Sequence, residues 1–104
     1  MRRTTATMKV LTLLAKAGVE DRLWGRRICQ LTNLGPGSVY PILERLEREG
    51  FVRGYRETEA PSGRPRRRYY ELTRDGRLEL AEAHATSVRA TNGARRSTSF
   101  GWAP

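Results

Sequence analysis

Arginines stand at positions 64, 66, 67 and 68, in the stretch Gly63-Arg-Pro-Arg-Arg-Arg-Tyr-Tyr70. A guanidinium is permanently charged, planar and forked, which suits it to phosphate oxygens and to the acceptor edge of guanine. So dense a like-charge cluster repels itself, and a polyanion relieves that repulsion. In an extended chain Arg66 and Arg68 face one way and Arg67 the other. The group could straddle a phosphate ridge or send one guanidinium, with Arg64 nearby, into a narrow minor groove. Upstream, Gly35-Pro-Gly-Ser-Val-Tyr-Pro41 has different chemistry. Gly35 and Gly37 allow close backbone approach, Ser38 and Tyr40 carry hydroxyls, and Tyr40 and Pro41 offer apolar surface for a thymine methyl. A helix starting here would also present free N–H groups and the positive end of its dipole.

Other chemistries find little support. Cys29 is the only cysteine and His84 the only histidine. A disulfide framework and a Cys/His zinc site within one chain are thereby excluded, and no nucleophile–histidine–acid set falls near a plausible pocket. Cys29 sits in a helical pattern between Ile28 and Gln30 and reads as a small core thiol. No cofactor is expected, and nothing in the residues names a small-molecule effector. The formal charge is +9, and all 20 basic residues are arginine except Lys9 and Lys16. That balance selects polyanionic partners without specifying a fold. The apolar run Val10–Ala15, broken by Thr12, is too short for a secretion-signal core of about 7–15 residues. No stretch reaches the length of a membrane span. A cytoplasmic protein is expected.

At 104 residues the chain holds one small domain, whose modest core would gain from a second subunit. Thr4, Thr5 or Thr7 can cap a first helix that runs to Ala17 and stops at Gly18. On it Met8, Leu11 and Ala15 make one apolar face, while Val10, Leu13, Leu14 and Ala17 cover much of the rest. One side suits the core and the other a partner. Arg22-Leu-Trp24 is short enough for a two- or three-residue strand. Gly25–Thr32 forms a brief helix with Ile28 and Leu31 inward, and Asn33-Leu-Gly35 is a turn. Pro36 suits a first helical position. The helix of about residues 36–49 then carries its apolar stripe at Val39, Ile42, Leu43 and Leu46, and Gly50 ends it. Phe51–Glu57 and Arg67–Thr73 alternate as paired strands around a loop at about 58–66. Thr73-Arg-Asp-Gly76 starts a last helix, on which Leu78, Ala81, Ala85 and Val88 repeat at heptad spacing. Beyond Ala90 the pattern stops, and 91–104 reads as a flexible basic tail. The chain is therefore mainly α with a small β-hairpin, in the order α-β-α-α-β-β-α, which is that of a winged helix-turn-helix.

The match becomes specific in Gly37-Ser-Val-Tyr-Pro-Ile-Leu-Glu-Arg-Leu-Glu47, then Gly50, then Gly63-Arg-Pro-Arg-Arg-Arg-Tyr-Tyr-Glu-Leu-Thr-Arg-Asp-Gly76. With Trp24-Gly25 opening the second helix, this resembles the PadR family of bacterial transcriptional regulators, in a short, actinobacterial-looking form. The resemblance covers roughly residues 7–85. It implies a dimeric regulator of repressor type in the bacterial cytoplasm, on the nucleoid when bound. It also implies that the terminal helices build the dimer and that Ser38, Tyr40 and Pro41 lie at the DNA surface. The chain departs from the pattern in a short, alanine-rich last helix and in its basic tail.

These readings divide the chain into a DNA-binding domain at 1–73, a dimerisation helix at 74–90 and the tail. Double-stranded DNA is the expected partner. Its contacts are Gly37, Ser38, Tyr40, Pro41, Arg45 and Arg48 on the third helix, Arg64, Arg66, Arg67 and Arg68 on the wing, and Arg2 and Arg3 on an N-terminal arm. The homodimer would use Met8, Leu11, Ala15, Leu78, Ala81, Ala85 and Val88. Plainer roles compete. Tyr40 can be a half-buried packing aromatic. Arg45 and Arg48 can form i,i+4 pairs with Glu49 and Glu44, worth a few tenths of a kcal/mol each. Tyr69 and Tyr70 can be one core and one surface residue, and Trp24 a packing anchor. Two other functions remain in play: a protein-docking module centred on Phe100 and Trp102, and a non-specific architectural DNA binder. No residue set supports an enzyme.

Overall fold

The computed structural model of the protein describes residues 4–18, 21–59 and 62–99, with 87–99 described by their backbone alone. The elements follow as α1 Thr5–Lys16, β1 Leu23–Trp24, α2 Gly25–Thr32, α3 Pro36–Arg48, β2 Val52–Arg56, β3 Arg68–Leu72 and α4 Arg74–Ser99. This is the expected order, and the fold is a winged helix-turn-helix.

Thr4 caps α1, its hydroxyl accepting the Thr7 amide at 3.1 Å. The helix stops at Lys16 with Ala17 in extended backbone, one residue ahead of the expected glycine stop. Its buried face is Thr7, Val10, Leu11 and Leu14. Leu11 was expected at a subunit interface, yet it is completely buried within this chain. The spacing explains the correction: Leu11 lies four residues from Thr7 and three from Leu14, on the core-facing stripe. Met8 and Ala15 flank that stripe, half-buried.

In α2 the buried residues are Gly25, Ile28 and Thr32. Leu31, expected inward, is 46% exposed, because a helix this short presents one narrow face and Ile28 with Thr32 already define it. Asn33 takes the left-handed conformation at φ 60°, the position where asparagine is the usual substitute for glycine. Gly35 then caps α3 and Pro36 enters its first turn. Val39, Ile42, Leu43 and Leu46 are all buried, as the periodicity requires. At the far end Gly50 adopts φ 82°, and the Phe51 amide reaches the Leu46 carbonyl at 2.9 Å, a helix stop that needs a residue without Cβ strain.

The sheet has strand order β1-β3-β2, antiparallel throughout. Opposed pairs Val52↔Leu72, Gly54↔Tyr70 and Leu23↔Tyr70 face the helices, while Tyr55↔Tyr69 and Trp24↔Tyr69 face outward. Outside the main core, the Trp24 and Tyr69 rings meet edge to face at 6.1 Å, and Tyr55 leans on Tyr69 at 5.8 Å. Tyr69 is buried in this small cluster, whereas Tyr70 is half-buried against the main core. Neither is a bare surface tyrosine.

Thr73 ties α4 to the end of α3. Its hydroxyl donates to the Gly50 carbonyl at 2.7 Å and accepts the Gly76 amide at 3.0 Å. Gly76 is buried beneath Phe51, whose carbonyl oxygen would meet any Cβ built there. The helix runs for 26 residues, past its expected end at Ala90. No proline interrupts it, and Gly93 costs only about 1 kcal/mol against alanine. Leu80 and Ala83 turn to the core, and Leu78, Ala81 and Ala85 stay exposed, Leu78 by 60%. Val88, Phe100 and Trp102 carry side chains outside the described residues, as do Arg2 and Arg3 of the expected arm.

Candidate nucleic-acid interface

The start of α3 is open to solvent. Gly35, Pro36, Gly37, Ser38, Tyr40 and Pro41 are all exposed, while Val39 alone among these positions is buried. The amides of Ser38 and Val39 both return to the Gly35 carbonyl at 3.0 Å. Pro36 has no N–H, so Gly37 carries the free amide at the helix tip. Tyr40 has a double role. Its ring lies across the first residue of α2, where a Cβ on Gly25 would stand 2.5 Å from the ring Cε1 and from the phenol Oη. The ring nevertheless stays 46% exposed. One edge of the ring fills the space that glycine leaves, and the other faces out.

Further along α3, Arg45 is half-buried and Arg48 exposed. Among the described residues neither has an ion-pair partner, so the competing i,i+4 pairs with Glu49 and Glu44 do not form. Both guanidiniums remain available.

The wing arginines are not four equivalent free cations. Arg64 bonds Glu57 at 3.1 Å with its side chain only 27% exposed, and also reaches the Pro65 carbonyl at 3.2 Å. Glu57 further accepts the Tyr69 hydroxyl at 2.8 Å and the Arg67 amide at 3.3 Å. The Arg64 hydrogen bond, then that of Tyr69, holds the Glu57 carboxyl down to about 2. Arg67 lies over the Trp24 ring, 3.8 Å from its centroid. Arg68 bonds Glu47 of α3 at 2.6 Å and lies 5.8 Å from the Tyr70 centroid. Burial pushes the Tyr70 phenol up. Arg66 is exposed and has no partner among the described residues. Arg67 and Arg68 do diverge to opposite faces of the strand, as alternation requires.

Charge density and strand alternation described the cluster in sequence but left its acidic partners unseen. Glu57 had a findable signal, because it closes the hairpin opposite Arg67, with its amide on the Arg67 carbonyl at 2.8 Å. Glu47 had none, since it sits 21 positions from Arg68. The role of Gly25 as the floor under Tyr40 was likewise invisible in one dimension. Both glutamate-bound guanidiniums are partly covered, that of Arg64 more than that of Arg68.

A cleft of about 350 Å³ separates wing from helices, bordered by Trp24, Gly25, Tyr40, Arg66 and Tyr70. The tip of α3 and the unpartnered wing arginine thus border one recess. Elsewhere an apolar groove of about 780 Å³ runs between α1, α2 and α4, lined by residues including Met8, Leu13, Leu31 and Ala83. Among the described residues no group of His, Cys, Asp and Glu gathers that could hold a metal ion. Nor is any described helix long and apolar enough to cross a membrane.

A model of the transcriptional regulator PadR-like family matches residues 24–82. That interval runs from β1 through the third turn of α4. Among solved structures, a PadR family transcription regulator from Clostridium difficile superposes with a TM-score of 0.69 at 23% identity, over 91% of this chain and 98% of that one. A PadR-like transcription factor from Bacteroides fragilis gives 0.71 at 22% identity, over 86% of each chain. A PadR-like transcriptional regulator from Bacillus cereus gives 0.67 at 21% identity, over 88% of this chain and 89% of that one. These likenesses are of fold. No curated protein matches the chain.

Proposed function

We propose that this chain, which belongs to the PadR-like family of transcriptional regulators, is a sequence-specific DNA-binding repressor acting as a homodimer. Its family is one of regulators rather than enzymes. The tip of α3 enters the major groove, where Ser38 and Tyr40 meet base edges or phosphates and Pro41 lies against a thymine methyl. Gly37 lets the backbone approach closely and offers its N–H to a phosphate. Arg45 and Arg48 reach the backbone of the same groove, and the wing flanks it with Arg66 foremost.

The observation that carries this reading is the shared recess. Tyr40 from α3 and Arg66 from the wing border one cleft of about 350 Å³, so helix tip and wing present a single positive, concave surface. Nothing in stabilising the fold requires that combination. The dimer reading rests on Leu78, Ala81 and Ala85, which leave an apolar stripe of α4 exposed while Leu80 and Ala83 serve the core. Met8 and Ala15 extend the surface onto α1, and Leu11 no longer belongs to it. A two-fold dimer would favour a roughly palindromic operator with half-sites about one helical turn apart.

Selection of bound sites from random duplexes tests specificity, symmetry and spacing together. Enrichment of a two-fold sequence is the expected result. Retention without enrichment would indicate an architectural binder, and no retention at low salt would remove the DNA reading altogether. On the selected site, Ser38→Ala should relax preference at one position by about 1–3 kcal/mol. Equal losses on selected and random DNA would assign Ser38 to the phosphate backbone instead.

A further inference from the structure

Arg68 and Glu47 form the one side-chain ion pair between α3 and the wing among the described residues. The geometry around it is tight. Gly54 of β2 lies directly beneath, and a Cβ there would stand 2.7 Å from the Arg68 Nη2 and 2.9 Å from the Glu47 Oε2. The pair therefore occupies a slot that exists only because position 54 has no side chain. Gly54 also pairs with Tyr70, and the Arg68 guanidinium lies toward that ring. Carboxylate, guanidinium, glycine and phenol thus form a joint between the last turn of the DNA-facing helix and the first residue of the returning strand.

We infer that Glu47 is a positioning residue for operator recognition: it keeps Arg68 as an internal strut that sets the wing against α3, and so withholds Arg68 from phosphate. This rests on the DNA-binding reading above. The alternative assignment makes Arg68 a phosphate ligand that Glu47 merely parks until DNA arrives. The structure favours the strut. At 2.6 Å the pair is a short, charge-assisted hydrogen bond, and both side chains are more than half covered, 44% and 35% exposed. Arg66, two residues away, is fully free to take a phosphate without breaking any contact. A wing held at one pitch suits only duplexes whose groove and flanking backbone present the right spacing. The same wing released would settle on any duplex.

The strut makes opposite predictions for affinity and for discrimination. Glu47→Gln removes a negative charge near the DNA and frees Arg68. Binding to random duplex should tighten, with its log–log salt slope steeper by about 0.9 for one added phosphate contact. Binding to the selected operator should gain less or weaken, so the ratio of operator to random affinity falls. Arg68→Gln should lower the same ratio while leaving the operator salt slope unchanged, since a strut contributes no phosphate contact. In the double variant the two losses of ratio should not add, because either change alone breaks the joint.

Fluorescence anisotropy with operator and random duplexes over a salt series reads all of these, with circular dichroism to verify folding of each variant. Arg68→Gln lowering the operator slope by about 0.9 with the ratio unchanged would make Arg68 a phosphate ligand and overturn the inference. Equal tightening on both duplexes by Glu47→Gln would reduce Glu47 to a background charge and overturn it too. If the unaltered protein binds no duplex at any salt, the DNA reading itself has failed, a result distinct from either.

Discussion

Gly25→Ala should separate folding from DNA binding. The new Cβ would sit 2.5 Å from Cε1 and Oη of Tyr40 and 2.7 Å from Cζ. An ordinary carbon contact needs about 3.5–4.0 Å, so the tip of the ring must move by roughly 1 Å or more. It can move, because Tyr40 is 46% exposed and open to solvent on its other edge. Overpacking costs about 1–3 kcal/mol only where the neighbours cannot yield, and alanine recovers up to about 1 kcal/mol of helix propensity over glycine. The net change in stability should stay within about 1 kcal/mol. For a domain of this size that shifts the melting temperature by no more than about 4–8 °C. Displacing the phenol removes whatever it bonds on DNA, and a hydrogen bond to a charged phosphate is worth about 1.5–3 kcal/mol. The operator Kd should rise roughly 10- to 150-fold. Thermal unfolding and anisotropy on the same sample measure both sides. Full operator affinity at an unchanged melting temperature would show that the Tyr40 tip does not face DNA. A collapse of the fold would show that its packed edge outweighs its exposed one.

Arg66→Ala should weaken operator and random duplex alike and reduce the salt slope by about 0.9; a change confined to the operator would make Arg66 a base reader. Glu57 is held at about 2 when folded against an ordinary 4.5. Its lowered pKa means its stabilisation of the wing is complete above about 4.5 and drains away as pH falls from there toward 2. Trp24 fluorescence, sensing the Arg67 and Tyr69 contacts, should report that acid transition and Glu57→Gln should abolish it; an identical transition in the variant would free Glu57 of the role. Leu78→Glu should give monomers by light scattering with the helical signal intact, because Leu78 is 60% exposed and its loss opens no cavity. An unchanged mass would move the subunit contact elsewhere.

Periodicity is a local property, and what it governs was legible. The stripe at Val39, Ile42, Leu43 and Leu46, the strand before Gly25, the cap at Thr73 and the divergence of Arg67 from Arg68 all follow from spacing along the chain. The failures share a cause. Leu11 belongs to the stripe that the core covers and Leu31 lies beside one, and hydrophobicity cannot say which of two adjacent stripes the rest of the molecule covers. The end of α4 was read from a loss of apolar repeats, but a helix can run on without an apolar face where no proline breaks it. Within the site, residue types marked a cluster of arginines but not how the arginines are held. That needed contacts between Arg68 and Glu47, and between Arg67 and Trp24, which only the tertiary fold creates.

Those contacts change what the arginine cluster means. Counted in sequence, four guanidiniums suggest a sticky, electrostatic wing whose grip rises with each charge. Arranged in space, Arg64 closes the hairpin through Glu57, Arg67 clamps it to Trp24, and Arg68 braces it to α3 through Glu47. Each fixes a long side chain against a partner within the chain, so the shape of the hairpin is set by its own contacts. That ordering is complete before DNA arrives, which is how preorganised surfaces convert contacts into affinity. The acidic partners also lower the net field of the wing, which weakens binding to arbitrary duplex more than binding that depends on shape. A wing of free arginines would bind everything; one with most of its arginines employed internally can afford to be selective.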